Sequence, residues 1–198
     1  EFRRVLFRSG QEPGVRTVSA LSVIIMARGT YFLCDTHVTP DPSAEEMVEM
    51  TSLAADAIRR FGPVPRVAVL SYSNFGTAET ASAEKCREAV AMLAERAPDL
   101  EVEGEMQADV AFNAELRKRI FPNSHMTGEP NLMIFPNLDA ANVSVNILKT
   151  LGDGLLVGPI LLGGAKAAHV LTPSVTARGI INMSALAVVD AQAREQAG

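Results

Sequence analysis

Apolar residues recur along this chain in two rhythms. Short, nearly unbroken runs at 18–27, 31–35, 66–70, 100–106, 132–135 and 155–162 predict strands, several buried on both faces. Between them lie stretches with apolar residues three and four apart. These predict helices that begin near 43 and cover 82–96, 109–120, 139–151 and 175–194. The clearest helix start is TPDPSAEEM, where Asp41 can cap, Pro42 suits the first turn, and Ser43 and Glu46 have capping-box spacing. Met47, Met50, Ala54, Ala57, Ile58 and Phe61 continue it as one apolar stripe, and Gly62-Pro63 stops it. Strands alternating with helices of this length predict a three-layer α/β/α fold around a mainly parallel sheet.

The last strand opens through Gly163-Gly164 into a segment carrying Lys166, His169 and Thr172-Pro173 before the final helix. A strand that opens through glycines toward a helix start is where α/β proteins commonly place a ligand. The loop 71–77 (SYSNFGT) has the same setting after a buried strand. Ser73 and Asn74 there either contact a polar ligand or simply cap an ordinary loop. It is neither a G-x-G-x-x-G nor a GK[ST] loop, so neither a standard dinucleotide fingerprint nor nucleotide hydrolysis is indicated.

Composition narrows the classes. With 198 residues, 47% hydrophobic and 21% charged, the chain can bury a proper core and is not disordered in character. A net charge of −5 argues against general nucleic-acid binding, which needs a basic face. No apolar run reaches the length of a membrane span, and no leader-like pattern opens the chain. Cys34 and Cys86 fall in a strand and a helix without metal or redox spacing, as reduced core residues of a cytoplasmic protein do. Residues 1–10 (EFRRVLFRSG) differ in style from the remainder of the chain and are read as a non-native scar; the abrupt start after them suggests a piece of something longer.

His37, His125 and His169 are scattered, with no metal-ligand spacing and no G-x-S-x-G elbow for a hydrolase. His169 either contacts a ligand or bonds to backbone at the helix entry. Lys149, Lys166 and Arg178 either receive a phosphate or are surface charges. The acids Glu101, Glu103 and Glu105 read as a solvated strand face, and Arg117-Lys118-Arg119 as a basic helix face.

Five blocks carry a resemblance: VTPDPSAEE (38–46), GEMQADVAF (104–112), NLMIFPNLDAANV (131–143), GPILLGGAK (158–166) and HVLTPSVTARGIINMSALAVVDAQ (169–192). In this order and spacing they resemble the phosphate acetyl/butyryltransferase family. The final block is most similar to the C-terminal, transferase-like half of bacterial NADP-dependent malic enzymes. The resemblance implies an isocitrate/isopropylmalate dehydrogenase-like fold of two lobes, with one lobe inserted in the other. Acyl phosphate and coenzyme A would bind in the cleft between them, and the assembly would be built on dimers. On that pattern 11–157 is mainly the inserted lobe and 158–198 returns to the first lobe, most of which lies outside this chain.

The departures matter as much. The family's Asp-Leu-Ser-Arg-Gly stands here as Val170-Leu171-Thr172-Pro173-Ser174, a family aspartate falls at Gly179, and a family arginine falls at Thr150. Acyl transfer to a thiol needs a base for the thiol proton and a cation for the phosphate and the developing oxyanion. Proline and glycine supply neither. The resemblance therefore implies an acyl-CoA- or acyl-phosphate-sensing regulatory and oligomerisation domain of a malic enzyme, with Ser73, Asn74, Lys166, His169, Thr172 and Arg178 lining the cleft. The alternative is a fragment of an active acyltransferase. A blander reading has the final helix (Ile180, Ile181, Ala185, Val188) only joining subunits. The expected ligand is acetyl-CoA or a related acyl compound. No cofactor is assigned to this chain; NADP, a divalent metal and malate decarboxylation belong to the absent part, and neither nucleic acid nor membrane is an expected partner.

Overall fold

Among the described residues, 10–173 and 175–197 of this computed structural model, six strands share one sheet. The chain runs β1 (Ser19–Met26), β2 (Gly29–Cys34), α1 (Ala44–Phe61), β3 (Arg66–Leu70), α2 (Ala81–Arg96), β4 (Glu101–Met106), α3 (Ala108–Ala111), α4 (Ala114–Ile120), β5 (Leu132–Ile134), α5 (Leu138–Leu151), β6 (Leu155–Leu162) and α6 (Ala177–Ala197). The spatial order is β4-β3-β5-β2-β1-β6. The four strands β4, β3, β5 and β2 are parallel, and β1 runs against both β2 and β6. The parallel character expected from the alternation holds for the left of the sheet. The antiparallel β1 follows from a hairpin in which only Ala27 and Arg28 separate Met26 from its partner Gly29.

Helices cover both faces. On one, Met47, Met50, Ala54 and Ile58 of α1, Cys86, Ala89 and Leu93 of α2, and Met183 of α6 pack on Leu21, Phe32, Val67 and Ile160. On the other, Val110 and Ala111 of α3 and Ala141 and Val145 of α5 pack on Ile24, Leu33, Ala68 and Met133. Cys34 and Cys86 are free and buried. No helix among the described residues is long and apolar enough to cross a membrane.

Several readings of the sequence need correction. Ser43, not Asp41, caps α1: its Oγ accepts the Glu46 N–H at 3.3 Å, and Glu46 reaches back to the Ser43 N–H at 2.8 Å. Asp41 instead pairs with Lys85. The helix expected over 109–120 is two short ones, because Asn113 interrupts it and caps the second by accepting the Leu116 N–H at 3.0 Å. Glu103 and Glu105 are buried rather than solvated, and Arg117 is buried against Glu103 at 3.7 Å rather than part of a basic face. Strand β6 pairs with β1 from Leu155 through Leu162. Residues 1–9 of the expected scar lie outside the described residues, whereas the carbonyl of Gly10 accepts the Ala165 N–H at 3.0 Å.

Candidate functional site

Because β1 alone is reversed, the C-terminal ends of β2, β3, β4, β5 and β6 all emerge at one edge of the sheet. The helix α2 after β3 and α1 after β2 lie on one face, whereas α5 after β5 lies on the other. This reversal of crossover direction beside β5 is the place where open α/β sheets form their binding crevice. Three polar segments line that edge.

The first is the loop between β3 and α2. Its organiser is Glu105, fully buried, whose Oε1 accepts from the Ser73 hydroxyl at 2.6 Å, the Gly76 N–H at 3.0 Å and Arg87 Nη1 at 2.9 Å. Its Oε2 is buried and finds no donor among the described residues. Asn74 Oδ1 accepts the Gln107 N–H at 2.8 Å, which ties β4's end to the same loop. The predicted site residues Ser73 and Asn74 thus hold the loop together. Phe75 has a φ of 47° and stacks on Phe121 with ring centroids 4.2 Å apart. Beneath the loop, Gly104 lets β4 pass close to β3: a Cβ there would lie 2.5 Å from the Val69 carbonyl oxygen.

The second segment follows β2. The buried Asp35 accepts four backbone N–H groups, from Ala20 (3.1 Å), His37 (2.9 Å), Val38 (3.1 Å) and Thr39 (2.7 Å). Thr36 Oγ1 lies 2.8 Å from Ser22 Oγ and 2.9 Å from His37 Nδ1, a chain of three exchangeable groups leading from the interior to the edge. Burial pushes His37 below the ordinary imidazole value, and the Asp35 carboxylate partly opposes it. Sequence reasoning missed this cluster. Its signal was an aspartate placed directly after an apolar strand, ready to collect the amides of the turn.

The third segment follows β6. Gly163 takes a φ of 79°, which glycine alone adopts freely, and turns the chain away from the sheet. Lys166 is exposed, Thr172 is half-buried with its carbonyl accepting the Val175 N–H at 3.0 Å, and Arg178 is exposed in the first turn of α6. His169 lies beneath α6, with Nδ1 accepting the Leu161 N–H at 3.3 Å. It borders a cavity of about 190 Å³ shared with Arg60, Leu186, Val189 and Asp190. Burial lowers its affinity for a proton; Asp190 opposes that and Arg194 reinforces it.

The structure brings Lys166, His169, Thr172 and Arg178 into one segment but leaves Ser73 and Asn74 apart from them. Strands β3 and β6 are separated by β5, β2 and β1, or roughly 19 Å at four strand spacings. A second concavity, of about 460 Å³, opens on the α3/α5 face between Met26, Leu33, Phe112, Met133, Ile147 and Leu148. Arg28 stands at its rim, paired with Glu129 and 5.9 Å from the Phe112 ring centre. No three His, Cys, Asp or Glu side chains among the described residues lie together as a metal site would require.

A six-stranded α/β sheet whose strand ends meet helix starts along one edge defines an α/β protein with the kind of edge at which such sheets place their ligands. The chain belongs to the phosphate acetyl/butaryl transferase family, whose profile matches residues 2–188. It is 54% identical over 181 residues to the NAD-dependent malic enzyme of Rhizobium meliloti, covering 91% of this chain and 24% of that protein. It is 45% identical over 184 residues to the NADP-dependent malic enzyme of Escherichia coli, covering 92% of this chain and again 24% of the relative. The EutD phosphotransacetylase from Staphylococcus aureus superposes with a TM-score of 0.89 at 27% identity, over 96% of this chain and 58% of that one. The chain thus spans about a quarter of the malic enzymes it matches.

Proposed function

We propose that this chain is the transferase-like portion of a malic-enzyme-type protein and that it senses an acyl-CoA or acyl phosphate rather than turning it over. The observation that carries this reading is the joint pattern of likeness and departure. The similarity to malic enzymes reaches 54% although the chain covers 24% of such a protein, while Pro173 and Gly179 occupy the positions where the family resemblance expects a cation and a base. Each missing group costs roughly two to three orders of magnitude in acyl transfer. Thr150, at the third departure, is exposed on α5 and offers a hydroxyl in place of a charge.

On this reading the edge of the sheet is one wall of a cleft, and a preceding lobe outside this chain supplies the other, in the two-lobe manner of isocitrate/isopropylmalate dehydrogenases. On the family pattern the chain returns to that lobe over 158–198. Lys166, Thr172 and Arg178 receive the ligand's phosphate groups, while His169, Ser73 and Asn74 shape the cleft from its two ends. Malate decarboxylation, the nicotinamide cofactor and its divalent metal belong to the absent portion. The residues present fit neither group, since there is no dinucleotide fingerprint and no metal-ligand cluster among those described. Ligand binding acts through a dimer-based assembly in a cytoplasmic protein, and regulation requires the ligand to bind two assembly states with different affinity.

Calorimetric titration of the full-length protein with acetyl-CoA tests this directly: saturable binding supports it, and a flat trace at millimolar ligand ends it. The likeness to a phosphotransacetylase structure favours a second reading, an active acyltransferase. A coupled assay for acetyl-CoA formation from acetyl phosphate separates the two, because turnover on the order of tens per second would mean working catalysis.

A further inference from the structure

We infer that His169 is a proton-operated latch on the open edge of β6. When neutral it holds the segment 166–173 against the strand, and when protonated it releases it. Residues 163–165 stay tied to 10–12 through the Glu12 N–H to Gly163 carbonyl and Ala165 N–H to Gly10 carbonyl bonds, each 3.0 Å.

The need for a latch comes from the sheet. Opposite Leu161 in β1 stands Ala20, whose backbone is committed toward β2: its N–H goes to Asp35 Oδ1 at 3.1 Å and its carbonyl accepts the Thr36 N–H at 3.2 Å. The Leu161 N–H therefore faces outward from an edge strand, the kind of donor that proteins cover with a side chain or a loop. Here its acceptor is His169 Nδ1 at 3.3 Å. An imidazole nitrogen accepts only while it carries no proton, so this contact places the ring's single proton on Nε2.

Charged groups surround the other side of the ring. Asp190 and Arg194 approach from α6 and Arg60 from α1, whereas β6 itself has no titratable residue. Asp190 is shared with Arg194 Nε at 3.3 Å, and Arg194 also reaches Glu12 at 3.8 Å. When a solvent proton binds Nδ1, the ring and the Leu161 amide become two donors facing each other. The new imidazolium is at the same time drawn toward Asp190. Both effects turn the ring away from the strand. Burial, which disfavours the charged ring, sets the latch to its closed position at neutral pH.

The released segment carries Lys166 and Thr172, so the latch links proton binding to the wall of the proposed cleft. That consequence rests on the proposed function, whereas the latch itself does not.

Nitrogen-15 NMR of the ring, together with amide exchange of Leu161, tests it in this chain and in the full-length protein. The expected result is the Nε2–H tautomer at about pH 7.5. A Leu161 protection factor should also fall roughly five- to tenfold as His169 titrates, the loss of one ordinary hydrogen bond. His37 titrates separately and should leave Leu161 unchanged. In His169→Gln the amide oxygen accepts at every pH, so protection should persist without a pH step. An Nδ1–H tautomer, or Leu161 protection that ignores the His169 titration, overturns the latch. The tautomer in the unaltered protein decides the matter even where the variant folds poorly. Absence of acetyl-CoA binding would remove the proposed sensor and leave these readouts untouched.

Discussion

The two edges of the sheet are closed by opposite chemistry. Along β4, the strand supplies the acceptors: Glu103 takes the Met126 N–H at 3.0 Å, the Ser124 hydroxyl at 2.7 Å and the His125 N–H, and Glu101 takes the Thr127 N–H at 2.7 Å. Buried Arg117 lies behind them, donating to the Ala111 carbonyl at 2.7 Å and the Gly128 carbonyl at 3.2 Å. Along β6, the strand supplies the donor, and a single imidazole answers it. The β4 edge is a buried charge network that is costly to disturb. At the β6 edge the outward Leu161 amide is met, among the described residues, by a neutral contact with a titratable partner. An edge built the first way gives permanence, and one built the second way gives release, so the movable segment belongs beside β6.

The contrast is tested most forcefully at β4. Glu103→Ala strands Arg117 in the interior and removes the acceptor for three donors; unfolding by urea should show a loss of about 3–5 kcal/mol. A loss under about 1 kcal/mol would mean that the carbonyl partners of Arg117 suffice, and that this edge is no sturdier than the other. Next in size is Glu105→Gln, which weakens the acceptor that gathers Ser73, Gly76 and Arg87. It should cost about 1–3 kcal/mol and raise proteolysis within 71–80; an unchanged cleavage pattern would count against its organising role.

His169→Phe should cost about 1 kcal/mol at neutral pH, read from the same urea midpoints, because it removes one acceptor and keeps the ring's volume. The pH dependence then separates the two edges further. The folded protein holds His169 and His37 below the ordinary value of about 6.5, so between the folded and unfolded values the unfolded chain binds more protons. Their contribution is complete above about 6.5 and is lost as pH falls through the lowered folded values. In His169→Phe the share due to that ring should vanish, leaving a shallower slope; an identical slope would assign the whole effect elsewhere. The smallest change is expected from Arg96→Ala. Its forked pair with Glu45 is fully exposed, and thermal denaturation should scarcely register its loss.

Much of the fold was legible in local pattern. Met47, Met50, Ala54 and Ile58 announce α1 because helical spacing places them on one face, and Ser43 with Glu46 marks its first turn whatever the helix packs against. The strand 155–162 and its glycine exit could be read directly from an apolar run and its break. Glu103, Glu105 and Arg117 could not. Alternating acids on a strand look the same whether water or a buried arginine faces them, and only the loop folded back over β4 decides which. Asp41 likewise had the right chemistry for a cap and lost to a residue two positions later.

The amino-acid order alone was enough for the alternation of strands and helices, the start of α1, the free buried cysteines and the blocks that carry the family likeness, because each depends on neighbours a few residues away. The folded arrangement settled the order β4-β3-β5-β2-β1-β6, and with it the distance between the Ser73–Asn74 loop and the His169 segment. It also settled which carboxylates are buried and which amide His169 receives. Those outcomes depend on which strand lies beside which, a choice made by packing across the whole chain.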